Sequence, residues 1–139
     1  MPHRLPVKVR FNELDPYNHV NHAVYVTYLE TARTEALAEV GLALEDLLAD
    51  GHQIVVMDLQ VRYRQPAGAS EALTVESWVS EVRGASSIWR QRIVRTGADG
   101  ADEELVTAQV RGGFTDVTGR PRRLPAEVAA KLALLVEPA

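Results

Sequence analysis

The stretch DPYNHVNHAVYVTYLETARTEALAEVG, residues 15–41, decides how this chain is read. Its first eight residues hold one carboxylate, two asparagines and two histidines, and the rest is helical in pattern. Pro16 fixes its own φ and pushes Asp15 away from helical angles, so Asp15-Pro16 opens a turn. From His22 to about Val40, the residues Tyr25, Leu29, Ala32, Ala36 and Val40 recur at three- and four-residue spacing, which is one face of an α-helix. Asn21 stands directly before the helix as a side-chain N-cap. Gly41 stands directly after it, where a left-handed residue ends a helix. Ala32 and Ala36 leave room for a close neighbour on the buried face.

Outward from this helix the chain reads as strands. Residues 7–12 (VKVRFN) alternate apolar and polar and predict a first strand. The segment 44–50 adds one or two helical turns. Residues 53–64 (QIVVMDLQVRYR) set Val55, Met57, Leu59, Val61 and Tyr63 on one face and Asp58, Gln60, Arg62 and Arg64 on the other, a strand with one face buried. Gln65-Pro66-Ala67-Gly68 breaks it. Further strands are expected at about 72–82, 86–96 and 104–115, with a turn at Gly84 and a hairpin loop at Ala98-Asp99-Gly100. In the last of these Val106, Ala108, Val110, Gly112 and Phe114 share a face. A basic turn at 119–125 (GRPRRLP) precedes a short helix at about 125–136. Short connections favour antiparallel neighbours. One apolar helix face and one apolar sheet face meet in two layers, so the expected class is α+β: a curved antiparallel sheet of about five strands wrapped around one long central helix.

A chain of 139 residues fits one domain, here expected over 1–139. The net charge of −4 argues against nucleic acid as a partner. The absence of cysteine removes disulfides, a thiol nucleophile and thiolate metal sites, and fits a cytoplasmic location. The N-terminal MPHRLPVKVRF lacks an apolar h-region, so no signal peptide is expected, and no apolar run approaches the roughly 20 residues of a membrane span.

The run from Arg10 to Tyr25 (RFNELDPYNHVNHAVY), followed by Tyr28-Leu29-Glu30-Thr31-Ala32-Arg33, resembles the signature of hotdog-fold acyl-CoA thioesterases, in the 4-hydroxybenzoyl-CoA thioesterase-like branch. That pattern is roughly D-x-x-G-H-V-N-N-x-x-Y, then an aromatic stretch and E-x-A-R. Val61-Arg62-Tyr63-Arg64-Gln65-Pro66-Ala67 and Arg83-Gly84-Ala85-Ser86-Ser87, leading into Gln91-Arg92-Ile93-Val94, fit it too, so the resemblance spans about 7 to 125. Two departures stand out. Asn18 replaces the usual Gly, and Asn tolerates positive φ better than most residues. His22 replaces the second Asn of the family's pair.

The resemblance implies hydrolysis of a small or medium acyl- or aryl-CoA to free acid and CoA. Asp15 would attack the thioester carbonyl or activate a water to do so. The first helical turn, with the backbone N–H of His22, would hold the oxyanion, since a helix N-terminus carries unpaired N–H groups and a positive dipole end. The His22 imidazole would orient the water or help the thiolate leave. Asn18, His19, Asn21, Tyr25, Ser86 and Ser87 are the expected substrate contacts. The resemblance further implies a homodimer or homotetramer with active sites between subunits, an acyl-CoA or acyl-carrier-protein thioester as substrate, and no cofactor.

Plainer readings stand beside these. Asp15 alone could be a turn residue. His19 could tie down the loop through its ring, and His22 could merely line a pocket. Glu30 and Arg33 read as a surface ion pair. Arg62, Arg64, Arg90, Arg92 and Arg111 read as mostly solvated, with one or two able to hold CoA phosphates. No metal is expected: His19 and His22 straddle the helix start, so they do not share a helical face as in HExxH. Two other functions on the same fold stay open, a non-catalytic acyl-CoA-binding protein and a dehydratase acting on hydroxyacyl thioesters.

Overall fold

In the computed structural model, which describes residues 2–136, five strands form one antiparallel sheet with three α-helices on one face. The elements are β1 (His3–Lys8), α1 (His22–Glu39), α2 (Leu44–Ala49), β2 (His52–Tyr63), β3 (Ala72–Arg83), β4 (Ser86–Thr96), β5 (Asp102–Asp116) and α3 (Ala126–Ala133). The strand order is β1-β3-β4-β5-β2, so the strand before α1 and the strand after α2 end up on opposite edges. The three hairpin-linked strands β3, β4 and β5 form the centre, as short connections require. No helix is long and apolar enough to cross a membrane, among the described residues.

The helix ends follow the local signals. The Asn21 side chain accepts a hydrogen bond from the Ala23 N–H at 2.8 Å, and Gly41 takes φ +83° just past the last turn. The buried face of α1 is Tyr25, Tyr28, Leu29, Ala32, Ala36 and Leu37. Leu29, Ala32 and Ala36 are fully buried, and the two alanines let the helix axis lie close to the sheet. Burial of each large core side chain, such as Leu29, Ile93 or Leu105, contributes roughly 1.5–3 kcal/mol.

The helical layer is shared, so the expectation of one long central helix holds only in part: α1 is the long helix, and the short helices expected at 44–50 and about 125–136 lie beside its end. The first half of α1 packs with Val75, Ile93, Leu105 and Val106 in one core cluster. Its end packs with Leu42, Leu47, Val128 and Leu132 over Val79, Trp89, Val110 and Phe114 in a second. α2 and α3 thus cover the end of the sheet that α1 leaves bare.

The first strand is also displaced. It runs from His3 to Lys8 rather than 7–12, with Leu5 and Val7 turned inward and Val9 buried just beyond its end. Residues Phe11–Glu13 instead form a turn of 3₁₀-helix, closed by the Glu13 N–H donating to the Arg10 carbonyl at 3.0 Å. Pro6 does not stop the strand, because β1 lies at the sheet edge. The C-terminal helix ends at Ala133, and Val136 then forms a parallel bridge to Val79.

The face assignment of β2 needs a larger correction. Its register against β5 shifts between Val56 and Asp58, leaving Met57 as an extra residue. Ile54, before the bulge, and Leu59 and Val61, after it, pack on the core, while Val55, Val56 and Met57 are exposed. Gly113 makes room for the bulge on the outer face: a Cβ there would fall 2.7 Å from Met57 Sδ. On the same outer face Glu76 is buried between Arg4 and Arg92, both of which bond its carboxylate, so Arg92 is engaged rather than solvated.

Candidate active site

The stretch 13–21 folds into a miniature antiparallel hairpin. The Asn21 N–H donates to the Glu13 carbonyl at 2.9 Å, Leu14 bridges Val20, and the Asp15 N–H donates to the His19 carbonyl at 2.7 Å. The tip is Pro16-Tyr17-Asn18, with Asn18 at φ +63°, the conformation its type tolerates. This hairpin delivers Asp15 and the helix start at Asn21 to the same place. Val20 is buried, and its N–H donates to the Ala67 carbonyl at 2.8 Å, which ties the hairpin to the loop after β2.

Asp15 is half-buried and asymmetrically bonded. Its Oδ1 accepts from the Tyr17 N–H at 2.8 Å and the His19 N–H at 3.1 Å. Its Oδ2 has no protein partner among the described residues. The two N–H groups fix the carboxylate plane and leave one oxygen available. In the first turn of α1, the Asn21 side chain occupies the Ala23 N–H and the Asn21 carbonyl takes the Val24 N–H, while the His22 N–H donates to no protein group among the described residues.

Asp15, His19, Val20, His22, Tyr25, Tyr63, Arg64, Gln65 and Pro66 surround an open cleft of about 290 Å³. Tyr25 is buried; its hydroxyl accepts from the Ala67 N–H at 3.1 Å, and burial pushes its pKa up. Tyr63 packs its ring on Tyr25, centroids 5.7 Å apart, and donates its hydroxyl to the His22 carbonyl at 2.8 Å.

Of the residues singled out from the sequence, the structure brings Asp15, His19, His22 and Tyr25 together around this cleft. Asn18 and Asn21 shape it from the hairpin tip and the helix cap. The loop is tied by the backbone N–H and carbonyl of His19, and the ring makes no hydrogen bond among the described residues. Ser86 and Ser87 lie elsewhere, at the β3–β4 hairpin beside Ile54, Gly112 and Phe114. There the Ser86 hydroxyl donates to the Arg83 carbonyl at 3.2 Å, and Ser87 Oγ accepts from the Trp89 indole N–H at 3.2 Å. Glu30 and Arg33 do not form the expected ion pair, among the described residues. Arg33 instead turns inward to donate to the buried Gln91 at 3.0 Å, where burial lowers its pKa. Gln91 in turn donates to the Leu29 carbonyl and to Ser77 Oγ, each at 2.9 Å. Among the described residues no three His, Asp or Glu side chains converge as a metal-binding group.

Tyr63 and Gln65 also line the cleft; in the sequence they stand out as part of the fragment 61–67 but not as site residues. The signal for Tyr63 was its place at the end of a strand, next to the Gln-Pro break, on the face directed at the helix.

Comparison with known proteins gives a consistent result. The family profile described as Thioesterase-like superfamily matches residues 9–132. The chain is 32% identical over 130 residues to the acyl-CoA thioester hydrolase YbgC of Escherichia coli O6:H1, covering 92% of this chain and 93% of that protein. It is 38% identical over 87 residues to the long-chain acyl-CoA thioesterase FadM of Escherichia coli K12, covering 63% and 65%. Among solved structures, the hypothetical protein TT1821 from Thermus thermophilus superposes with a TM-score of 0.85 at 30% identity, over 95% of this chain and 98% of that one. A 4-hydroxybenzoyl-CoA thioesterase complexed with 4-hydroxybenzoyl-CoA shares the fold at a TM-score of 0.86 and 19% identity, over 93% and 96%.

Proposed function

The chain belongs to the thioesterase-like superfamily and is an acyl-CoA thioester hydrolase, and from that premise we propose that Asp15 and the first turn of α1 carry the reaction. The observation that supports this reading is the pairing of two unused groups on one cleft. Among the described residues, one Asp15 carboxylate oxygen and the His22 N–H at the helix N-terminus have no protein partner, and Asp15 and His22 line the same cleft.

The thioester carbonyl sits between them, its oxygen toward the His22 N–H. In one route Asp15 takes a proton from water as the water oxygen bonds to the carbonyl carbon. The carbonyl electron pair moves onto oxygen, and the tetrahedral intermediate collapses by breaking the C–S bond. The departing CoA thiolate takes up the proton. In the other route the carboxylate oxygen itself forms the bond, CoA leaves, and water cleaves the resulting anhydride. Both routes need the same donor, and one well-aimed oxyanion donor is worth about 2.7–4 kcal/mol of barrier. The His22 imidazole orients the water or assists the leaving thiolate, and Asn18, His19, Asn21 and Tyr25 shape the acyl and pantetheine path.

The order of the motifs supports the 4-hydroxybenzoyl-CoA thioesterase-like branch, and with that branch the proposed substrate carries a small or medium acyl or aryl group. Two chains join through β2, an edge strand with exposed Val55, Val56 and Met57, flanked by Leu44 and Leu48 of α2. Ser86 and Ser87 lie outside the Asp15 cleft of their own chain, so their expected contact with substrate requires the site of another subunit.

A panel of short, medium and aromatic acyl-CoAs with a thiol-release assay tests the function. The expected result is CoA release with a clear preference within the panel. Tight binding of acyl-CoA without any release of CoA overturns the catalytic reading. Light scattering on the same sample is expected to give at least a dimer.

A further inference from the structure

The reading of Asp15 above makes its position relative to α1 the critical dimension, and a contact outside the cleft holds it. Glu13 is the node. Its carbonyl accepts from the Asn21 N–H at 2.9 Å, which closes the hairpin that carries Asp15. Its Oε1 accepts from the Tyr28 hydroxyl at 2.7 Å and from the Arg10 N–H at 2.8 Å. Tyr28 is buried on α1, six residues past His22 and so about one and two-thirds turns along the helix. Among the described residues, this is the one side-chain hydrogen bond from segment 10–14 to α1. The neighbouring Phe11 and Asn12 side chains are exposed.

We propose that Glu13 and Tyr28 are positioning residues for thioester hydrolysis: their contact pins the Asp15 hairpin onto α1 and so fixes the carboxylate against the N–H groups of the helix's first turn. The proposal rests on the reading of Asp15 as the catalytic carboxylate. Neither side chain lines the cleft, so neither touches substrate. A hydrogen bond to a carboxylate is short and directional, which sets register in a way that an apolar contact does not. Burial, and then the Glu13 carboxylate, raise the Tyr28 pKa, so the hydroxyl stays a donor at working pH. Tyr25 makes the complementary tie, holding the loop after β2 through the Ala67 N–H, and its ring meets Tyr28 edge-on at 6.2 Å. The helix thus holds the hairpin through Tyr28 and, through Tyr25, the loop to which Val20 of the hairpin is bonded.

The test compares Tyr28→Phe, Glu13→Ala, Glu13→Gln, Tyr28→Phe with Glu13→Ala, and Asp15→Asn on the acyl-CoA that the unmodified protein turns over fastest. Thermal midpoints are recorded so that assays run well below unfolding. The expected result is kcat lowered about tenfold or more in Tyr28→Phe and Glu13→Ala, with KM within about twofold. Glu13→Gln, which keeps an acceptor oxygen for Tyr28, retains kcat within about threefold, and the double variant is no slower than the slower single one. Values of kcat within twofold of the unmodified protein in both single variants overturn the positioning role, as does a double variant that loses the product of both effects. Full activity in Asp15→Asn overturns the role of Asp15 and the positioning role with it. Loss in Asp15→Asn with full activity in Tyr28→Phe overturns the positioning role alone.

Discussion

The Tyr63 hydroxyl donates to the carbonyl of His22 at 2.8 Å, so the end of the edge strand is bonded to the first residue of the helix that caps the cleft. The two residues are 41 apart in sequence. Tyr63→Phe keeps the ring contact with Tyr25 and removes only this bond, which is worth about 0.5–1.5 kcal/mol. We expect kcat/KM to fall roughly two- to tenfold with the fold intact. A variant indistinguishable from the unmodified protein in steady-state kinetics would show that the bond plays no part in the reaction.

Asp15→Asn keeps an oxygen to accept the Tyr17 and His19 N–H groups, so the hairpin survives while the charge goes. Hydrolysis is expected to fall by about 10²–10⁴ with little change in thermal midpoint. The measurement is CoA release, read beside circular dichroism.

Asn18 holds φ +63°, a region that costs most residues about 1–2 kcal/mol. Asn18→Ala is therefore expected to lower the urea unfolding free energy by about 1 kcal/mol, and Asn18→Gly to leave it equal or raise it. A loss of stability in the glycine variant would contradict the conformational argument.

Ala32 is fully buried where α1 lies on the sheet. Ala32→Leu overpacks this contact and is expected to cost about 1–3 kcal/mol, more if the helix cannot shift. Denaturant titration measures the cost, and an unchanged midpoint would mean that the helix has slack over the sheet.

The Asp116 carboxylate accepts from the Thr118 hydroxyl and from the Thr118 and Arg120 N–H groups, and it lies beside Arg122; these partners hold its pKa below the usual carboxylate value. A pKa depressed in the folded state contributes stability above the unfolded value, near 3.9, and that stability is lost as pH falls through the lower folded value. The stability gap between the unmodified protein and Asp116→Asn should be constant from neutral pH to about 5 and shrink below about 4. A gap that widens on acidification would reverse the assigned sign.

What was legible in the sequence was local. Asp15-Pro16, the Asn21 cap, the apolar face of α1 and the stop at Gly41 are each written within a few residues, and each appears in the structure. The centre of the sheet was legible for the same reason, since its strands are joined by short turns. What failed depended on distant partners. The alternation of Val55, Met57, Leu59, Val61 and Tyr63 looks unbroken, but the inserted Met57 turns Val55 and Met57 to the opposite face, where Gly113 on the neighbouring strand leaves room for the Met57 side chain. Arg33 looked paired to Glu30 one turn away, but its partner, Gln91, is 58 residues on. The first strand was placed too late because its edge position, which lets it carry Pro6, is settled only when β1 meets β3. At the site, Asp15, His19, His22 and Tyr25 were readable from one motif, whereas Tyr63, which arrives from the far edge, was not.

The two edges of the sheet differ in a way that limits growth. β1 carries Pro6 and ends at Lys8, features by which an edge resists added strands; β2 contains neither proline nor lysine and exposes an apolar run. A sheet with one open and one blunted edge has a valence of one. In the pairing proposed above it takes a single partner presenting the same edge, and the union consumes both. Association through β2 then ends at a closed pair, and Pro6 at the other side of the sheet opposes further extension.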